Sequence, residues 1–521
     1  MKTVCILTAG RGLRLNEYST LINKALLPVN KKAAISHIID NFSKETKLVV
    51  AIGHLGDQVK DFLNLSYPKR NIAFVKIKNY SGKNSGPGRS LLDCKAYLKK
   101  DFYFISCDTL WTKKINHNEN YNWMGVSKEL FYNPKEYCNL LSNKKKIIDV
   151  KDKMYATKKY KHFIGLAYIK DYNLFWSAFK SMKKNAGEYQ VIDGFKKLIK
   201  FATVKEKKLE WYDIGSVKNY NYTLKKYENF NFRKTNEFIY IDKDKITKFI
   251  NSQTKIKKLI IRTKKIKLFP RIIKFKKQFI QYKYISGEIF YDLINKNNFN
   301  KLLYFLNAKL WKITKKKNIT KLCKKFYHIK TLERIELFLN KYNHKKDLKT
   351  KINGVLIPSI NTLMNHVPWQ EIYRGIPSKI HGDLQFDNII FDKKNFFLID
   401  WREDFGGNLN YGDLYYDLAK MYGGIEMNYD IIKKGKFSYL EQKNIISYKY
   451  NSRKKLMNEI KRQYEKFILL NDFSLKKIEI LKCLIYINMS PLHEHPFDKL
   501  LFAHGKSQLF KILKKYECIS K

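Results

Sequence analysis

The sequence has no Cys-x-x-Cys pair: its seven cysteines, Cys5, Cys94, Cys107, Cys138, Cys323, Cys483 and Cys518, lie far apart. That spacing argues against zinc-ribbon and thioredoxin-like sites and fits a reducing cytoplasm. No apolar run reaches about 18 residues, so no membrane-spanning helix is expected. Met1 to Leu7 run straight into a strand and a glycine loop, which leaves no room for a signal peptide. Acid is scarce too, with 47 Asp and Glu against 103 Lys and Arg and a formal charge of +56. Such a surplus ordinarily points to nucleic acid or an anionic membrane. Yet only twelve of the 103 basic residues are Arg, the side chain whose planar fork reads bases and clamps phosphates. The excess is lysine beside abundant Asn, Ile, Tyr and Phe, the drift of an AT-rich genome rather than selection for a polyanion. Specific nucleic-acid binding is therefore not expected. The basic surface would draw in nucleotides and phosphorylated substrates and would hold the chain loosely near anionic lipid.

What is present is material for more than one core. The chain has 521 residues, 44% hydrophobic and 15% aromatic, which excludes global disorder and suggests roughly two to four domains. From Met1 to about Glu228, short β-branched runs (Val4 to Thr8, Leu48 to Ile52, Ile72 to Ile77, Phe102 to Ser106) alternate with helix-length segments. That is the pattern of a mostly parallel α/β sheet with crossover helices. The polar stretch Tyr220 to Asn236 reads as linker, with 229–236 as the link itself. Beyond it, strand candidates at Glu237 to Ile241, Lys245 to Ile250 and Gln278 to Ile285 surround a basic helical stretch, Ser252 to Lys267. Helical periodicity then dominates, as in Leu456, Ile460, Tyr464 and Phe467. The expected domains are 1–228 and 237–521, the second split into a small β-rich lobe (about 237–285) and a helical lobe (about 288–521).

Leu7-Thr8-Ala9-Gly10-Arg11-Gly12-Leu13-Arg14 places glycines just past a buried strand, where bare N–H groups can approach phosphates. Asn23-Lys24-Ala25-Leu26-Leu27-Pro28-Val29 follows, then Gly53-His54-Leu55-Gly56, Cys107-Asp108-Thr109 and Trp211-Tyr212-Asp213-Ile214-Gly215. In this order the motifs resemble those of the sugar-nucleotide pyrophosphorylases and phosphocholine cytidylyltransferases over about 220 residues. The resemblance implies a Rossmann-like nucleotidyltransferase domain, its sheet mixed but mostly parallel, with Mg²⁺ on Asp108 and Asp213, and with Arg14 on the triphosphate. Lys24 would meet the phosphate-bearing substrate or the α-phosphate, and Ala9, Gly10 and Gly12 would cradle the nucleotide. Asn84 to Leu92 occupies the base-contacting position, through Ser85, Gly86 and Ser90. That stretch looks nearer the cytidylyl members, which favours CTP. Two departures stand out: Leu13 replaces the usual Thr and Asn23 the usual Pro. No hexapeptide β-helix follows Asp213, so no acetyltransferase activity is implied.

His381-Gly382-Asp383-Leu384-Gln385-Phe386-Asp387-Asn388, then Leu398-Ile399-Asp400-Trp401, sets an Asp and an Asn five residues apart and a second Asp beyond, as in kinase catalytic loops. With Gly412-Asp413-Leu414-Tyr415-Tyr416-Asp417-Leu418-Ala419 it resembles the aminoglycoside phosphotransferase and choline kinase family. That implies an α+β bilobal protein-kinase-like domain in which Asp383 meets the substrate hydroxyl, Asn388 and Asp400 bind Mg²⁺, and Asp417 braces the site. Tyr284 would lie in the hinge that grips ATP, and Lys248 would touch its phosphates. Between Lys245 and Gly287 there is no acidic residue, so the usual Glu partner for that lysine is missing. Met489 to His495, with His493 and His495 two apart, reads as pocket or structural rather than a metal site.

Together these readings imply a cytoplasmic bifunctional enzyme. A kinase would use ATP to phosphorylate a small alcohol or sugar, and a nucleotidyltransferase would activate the phosphate with an NTP for surface glycan or lipid decoration. The rivals are an active transferase with a non-catalytic kinase-like module, and a basic nucleic-acid or membrane adaptor.

Overall fold

Every residue of strand β1 (Thr3–Leu7) is buried. Successive side chains of a strand point to opposite faces, so burial of all of them requires a sheet covered on both sides. The computed structural model, which describes residues 2–112, 114–127, 134–152, 159–181, 184–185, 188–227, 236–314, 317–451 and 453–519, contains that sheet. Strands β2 (Lys47–Ile52), β3 (Ile72–Lys76) and β4 (Phe102–Ser106) join β1 in parallel, in the order β3-β2-β1-β4. Val4 and Ile6 enter one core with Leu48, Val50, Tyr103 and Ile105. Cys5 and Leu7 enter a second with Val49, Ala51, Phe102 and Phe104.

Five further strands, β5 (Asn122–Ser127), β6 (Asn139–Asn143), β7 (Lys146–Lys151), β8 (Lys161–Ile169) and β9 (Val204–Leu209), continue the order as β4-β8-β5-β9-β7-β6. The expected mixed sheet is borne out: its parallel part, β1 to β4, continues into strands of both directions, with β8 antiparallel to both β4 and β5. The β6–β7 hairpin is antiparallel of necessity. Its two-residue turn puts Lys144 and Lys145 at φ 44° and 69°, a geometry that matches strand twist.

Helices α1 (Gly56–Ser66), α2 (Pro87–Asp93), α3 (Ile192–Phe201) and α4 (Val217–Tyr227) complete this α/β part. Helix α4 corrects the reading of the polar stretch from Tyr220 as linker. It buries Tyr220, Thr223 and Leu224 at helical spacing, and the Tyr220 hydroxyl donates to the Pro28 carbonyl at 2.7 Å. Residues 229–235 of the expected link lie outside the described residues.

By internal contacts the chain forms two compact units. The first comprises Met1–Glu228, Phe238–Asn251 and Lys274–Gln281; the second comprises Asn229–Glu237, Ser252–Ile273 and Tyr282–Lys521. Most of a four-stranded sheet, β10 (Glu237–Asp242), β11 (Lys245–Ile250), β12 (Ile272–Lys276) and β13 (Phe279–Lys283), in the order β10-β11-β13-β12, therefore groups with the first unit. The reason is aromatic packing. Phe238, Tyr240, Phe249 and Phe279 share a core with Phe62 of α1, whose ring lies 4.9 Å from Tyr240 and 6.0 Å from Phe279.

The second unit is mainly helical, with α5 (Gln253–Lys265), α6 (Lys330–Lys341), α7 (Leu414–Glu426), α8 (Lys454–Leu470), α9 (Leu475–Met489) and α10 (Phe497–Lys515). Residues Leu414 to Ile425 of α7 are all buried, which marks it as the central helix of the bundle. Among the described residues no helix is long and apolar enough to cross a membrane.

One buried side chain ties the turns around the glycine loop together. Asn23 is 1% exposed. Its Nδ2 donates to the carbonyls of Thr8 at 2.9 Å and His54 at 2.7 Å. Its Oδ1 accepts from the Ala25 N–H at 2.9 Å, capping the turn that carries Lys24, and its own N–H donates to Gln58 Oε1 at 2.9 Å. Proline, the residue of the resembling family, could make none of these bonds. Asn23→Pro and Asn23→Ala should each destabilise by about 2 kcal/mol or more. Leu13→Thr, at a side chain 65% exposed, should be near neutral. Thermal melts of the three variants check this ranking.

Candidate active sites

In the first unit, ten residues singled out from the sequence line a single cavity of about 570 Å³: Ala9, Gly10, Gly12, Arg14, Lys24, Ser85, Gly86, Ser90, Asp108 and Asp213. The glycine loop leaves β1 and is held from behind, since the His54 N–H donates to the Ala9 carbonyl at 2.9 Å. A Cβ at Gly10 would meet nothing within 4 Å, so the loop offers open backbone to the cavity. Gly86 opens α2 at φ 112°, a conformation that only glycine adopts freely.

Asp108 follows β4, and Asp213 ends the short strand Trp211–Asp213, which pairs antiparallel with Thr109–Trp111. The Ile214 N–H donates to the Asp108 carbonyl at 3.1 Å, which fixes the two strand ends side by side. A Cβ on Gly215 would lie 3.1 Å from Asp108 Oδ2, 3.2 Å from Asp213 Oδ1 and 3.2 Å from Arg14 Nη2. Two carboxylates and a guanidinium thus converge on a cradle that only glycine leaves open. Lys24 Nζ lies 2.8 Å from Asp108 Oδ2, and Arg14 Nη1 lies 2.9 Å from Glu136.

The electrostatics follow from burial. Burial alone would raise Asp108, but Lys24 and Arg14 offset it and hold the carboxyl below the ordinary range. Asp213 has weaker compensation: burial and the charge of Asp108 push it up to about 6, against hydrogen bonds from Asn219 and Tyr137. Those donors reach Asp213 Oδ2 at 2.5 Å and 2.9 Å, and Asn219 also donates to the Tyr137 hydroxyl. Two neighbouring carboxylates that repel each other fit a divalent cation whose remaining ligands are substrate phosphates and water, as Mg²⁺ prefers. Among the described residues no group of three or more His, Cys, Asp and Glu is placed to hold a metal ion.

In the second unit the catalytic-loop residues are built around Asp417 on α7. Its Oδ1 accepts from the Gly382 N–H at 2.7 Å, and its Oδ2 accepts from the His381 N–H at 2.8 Å and from Trp311 Nε1 at 3.2 Å. Burial raises Asp417 to about 6 in spite of these donors. His381 is fully buried and lowered by burial to about 4, so its ring is neutral near pH 7. Its Nε2 lies 2.8 Å from the Ile399 carbonyl, next to Asp400. Gly382 sits at φ 83°, and a Cβ there would strike the Arg402 Cβ at 2.6 Å. Asn388 Nδ2 donates to the Asp383 carbonyl at 2.8 Å, which leaves the amide oxygen as its acceptor end. The Ile399 N–H donates to the Asn388 carbonyl at 2.9 Å, bringing Asn388 next to Asp400. Asp400 itself adopts φ 55°, which side-chain-bearing residues rarely do. Asn388 just precedes the strand Ile389–Phe391 and Asp400 just follows its antiparallel partner Phe396–Leu398, and an amide oxygen and a carboxylate are hard donors suited to Mg²⁺.

The two remaining residues lie elsewhere in the fold. Lys248 is buried on β11 of the first unit, and Tyr284, 38% exposed, lies just past β13 in the second. Two contacts went unanticipated. Lys420 Nζ stands 2.9 Å from Asp383 Oδ1 and is 6% exposed. It lies three residues after Asp417, on the same helical face, so the motif itself held the signal. Met489 Sδ lies 3.6 Å from that lysine and 3.9 Å from Gln385 Nε2, which draws the Met489 to His495 segment to the site through sulfur rather than imidazole.

Residues 330–435 match the model of the phosphotransferase enzyme family. The N-terminal region is similar to the bifunctional protein GlmU of Methanococcus maripaludis, 26% identical over 216 residues, covering 40% of this chain and 50% of that protein. The corresponding protein of Methanocaldococcus jannaschii is 26% identical over 214 residues, with the same coverage. The chain thus spans about half the length of the curated relatives it matches. A solved CTP:phosphocholine cytidylyltransferase from Streptococcus pneumoniae is 21% identical, covering 44% of this chain and 100% of that one at a TM-score of 0.35. Both resemblances read from the motifs, nucleotidyltransferase and phosphotransferase, are borne out.

The raised Asp213 has a signed consequence. A carboxyl with a raised folded pKa contributes stability at low pH that is lost as pH rises through about 6. At pH 7.5 its charge is a cost, so Asp213→Asn should stabilise the metal-free protein by about 1 kcal/mol, and the gain should shrink at pH 5. Melting curves at the two pH values decide it; a variant less stable at pH 7.5 would contradict the buried-charge account.

Proposed function

We propose that the chain is a cytoplasmic bifunctional transferase. Its second unit phosphorylates a small hydroxyl compound with ATP. Its first unit joins that phosphate to a nucleotidyl group from an NTP, CTP favoured, and releases pyrophosphate. The observation that carries the reading is the Gly215 cradle, where Asp108, Asp213 and Arg14 converge beside Lys24 and an open glycine loop.

A phosphate monoester is already anionic, so its attack on the α-phosphorus needs no general base. The first unit's residues align it and neutralise charge. The glycine loop's N–H groups hold the triphosphate, Arg14 and Lys24 balance the phosphates, and the Ser85 to Ser90 turn meets the base. Mg²⁺ on Asp108 and Asp213 would supply further charge neutralisation at the α-phosphate. In the second unit Asp383 orients the acceptor hydroxyl and takes its proton. Asn388 and Asp400 would hold Mg²⁺, and the Tyr284 segment would grip adenine; Lys248, read from the sequence as the lysine on the ATP phosphates, groups with the first unit. A role in surface glycan or lipid decoration rests on the resemblance alone.

One sequence feature favours a second reading, in which the second unit binds without turnover: no acidic residue lies between Lys245 and Gly287. Mass spectrometry of the purified chain with Mg²⁺, four NTPs and a library of free and phosphorylated alcohols separates the two. Nucleoside-diphosphate products should form from free alcohols, most with CTP. Asp383→Ala should cut their yield about a thousandfold while sparing products from phosphorylated acceptors. Products from phosphorylated acceptors alone, in the wild type, would establish the second reading.

A further inference from the structure

Helix α5 has no acid, yet its cationic side chains are anchored within the second unit. Lys255, Lys258 and Arg262 follow one another at i, i+3 and i+7, so they form one stripe. All three pair with groups of the second unit, Arg262 fully shielded and the two lysines about one-third exposed. Arg262 is 2% exposed. Its Nη1 donates to the Arg402 carbonyl and its Nη2 to the Ile380 carbonyl, each at 2.5 Å. One guanidinium therefore spans the backbone just before His381-Gly382-Asp383 and the backbone just after Asp400-Trp401. Lys258 Nζ lies 2.6 Å from Asp404 Oδ2. Lys255 Nζ lies 2.5 Å from Glu237 and 3.6 Å from Glu403.

Aromatic packing supports the same junction. Phe269, just past α5, stacks on Trp401 at 5.0 Å and meets His381 edge-on at 5.5 Å. Burying a guanidinium is costly unless its donors are used, and here the donors go to two loops that must keep register. A protein kinase fixes its phosphate lysine through a Glu on the corresponding helix. In this chain the helix instead holds the metal-side loop, with the polarity reversed.

We propose that Arg262 and Lys258 are positioning residues, a cationic clamp through which α5 holds the Asp400 loop against the Asp383 loop for phosphoryl transfer. The inference rests on the kinase reading of the second unit. It makes α5 the element on which the geometry of Asn388 and Asp400 depends, and it accounts for a kinase-like unit working without an acidic residue on that helix.

The test uses the full chain with Lys258→Glu, Lys258→Arg and Arg262→Lys, and two readouts. Amide hydrogen exchange over Ile399 to Phe405 reports loop order without turnover. The Mg²⁺ dependence of alcohol phosphorylation reports positioning. Lys258 is about one-third exposed (34% for its side chain), so its variants should fold, and nucleotidyl transfer from a pre-phosphorylated acceptor controls for that. Lys258→Glu should speed exchange over Ile399 to Phe405 and raise the half-saturating Mg²⁺ about tenfold. Lys258→Arg should keep both near wild type, and Arg262→Lys should behave like Lys258→Glu. Wild-type exchange in Lys258→Glu overturns the clamp whatever the turnover. Faster exchange with unchanged Mg²⁺ dependence overturns the positioning role. If the wild type phosphorylates no alcohol, the kinase reading itself fails, and this role fails with it.

Discussion

The first unit is organised around a repulsion. Asp213 is buried and the Asp108 side chain is 16% exposed, and both send a carboxylate oxygen toward the place a Cβ on Gly215 would occupy. Like charges in a place with little water cannot sit together without compensation, and much of the surrounding architecture supplies it. Lys24 arrives on a turn capped by Asn23. Arg14 arrives from the short helical turn after the glycine loop. Tyr137 and Asn219 donate to the far oxygen of Asp213 and leave the near side for whatever cation the cradle receives. The compensation is unequal. Asp108 is held ionised by its pairing with Lys24, whereas Asp213 is raised to about 6 by burial and the neighbouring Asp108 charge.

The second unit handles buried charge through backbone donors. Asp417 takes two consecutive main-chain N–H groups, which fixes the turn entering Asp383. Gly382 is required there because the Arg402 side chain fills the space a Cβ would occupy. His381 stays neutral and passes the constraint on to Ile399, next to the left-handed Asp400. Each link is a short-range contact, and their sum brings three sequence-distant segments to one place.

The motif residues were legible because each sits where chain geometry demands a residue type: a glycine with open space, an acid at a strand end, an Asn beside a loop carbonyl. The α/β alternation gave β1 to β4 within a residue at most boundaries, since burial of β1, β2 and β4 on both faces leaves near-unbroken apolar runs. The sheet beyond β4 was not legible in the same way. Whether β8 runs parallel or antiparallel depends on connection paths, and no local pattern records them. Helix α4 was taken for linker because its buried set is Tyr, Thr and Leu among Asn and Lys, a weak apolar stripe. Strands β10, β11 and β13 group with the first unit through Phe62, a partner about 180 residues away in sequence that no spacing rule could suggest. Tyr137 and Asn219 were missed because supporting residues carry no motif of their own, whereas Lys420, on the helical face of Asp417, was there to be read.

The charge of the chain gives a way to weigh its ion pairs. With 103 basic residues, a lysine near any carboxylate is background, and exposed pairs of that kind contribute little. Buried cations are a different matter, because each must be satisfied or be costly. Lys24, Arg262 and Lys420 are all well shielded, and each meets a loop that carries chemistry-bearing residues. Composition drift can load a surface with lysine, but it does not place a guanidinium 2% exposed between two carbonyls. Where acid is scarce, a contact that elsewhere pairs a helix Glu with a loop cation can survive only with the signs exchanged, and Coulomb attraction is indifferent to that exchange. The acids then have to lie on the loop, and Glu403 and Asp404 follow Asp400 at the positions where α5 can reach them.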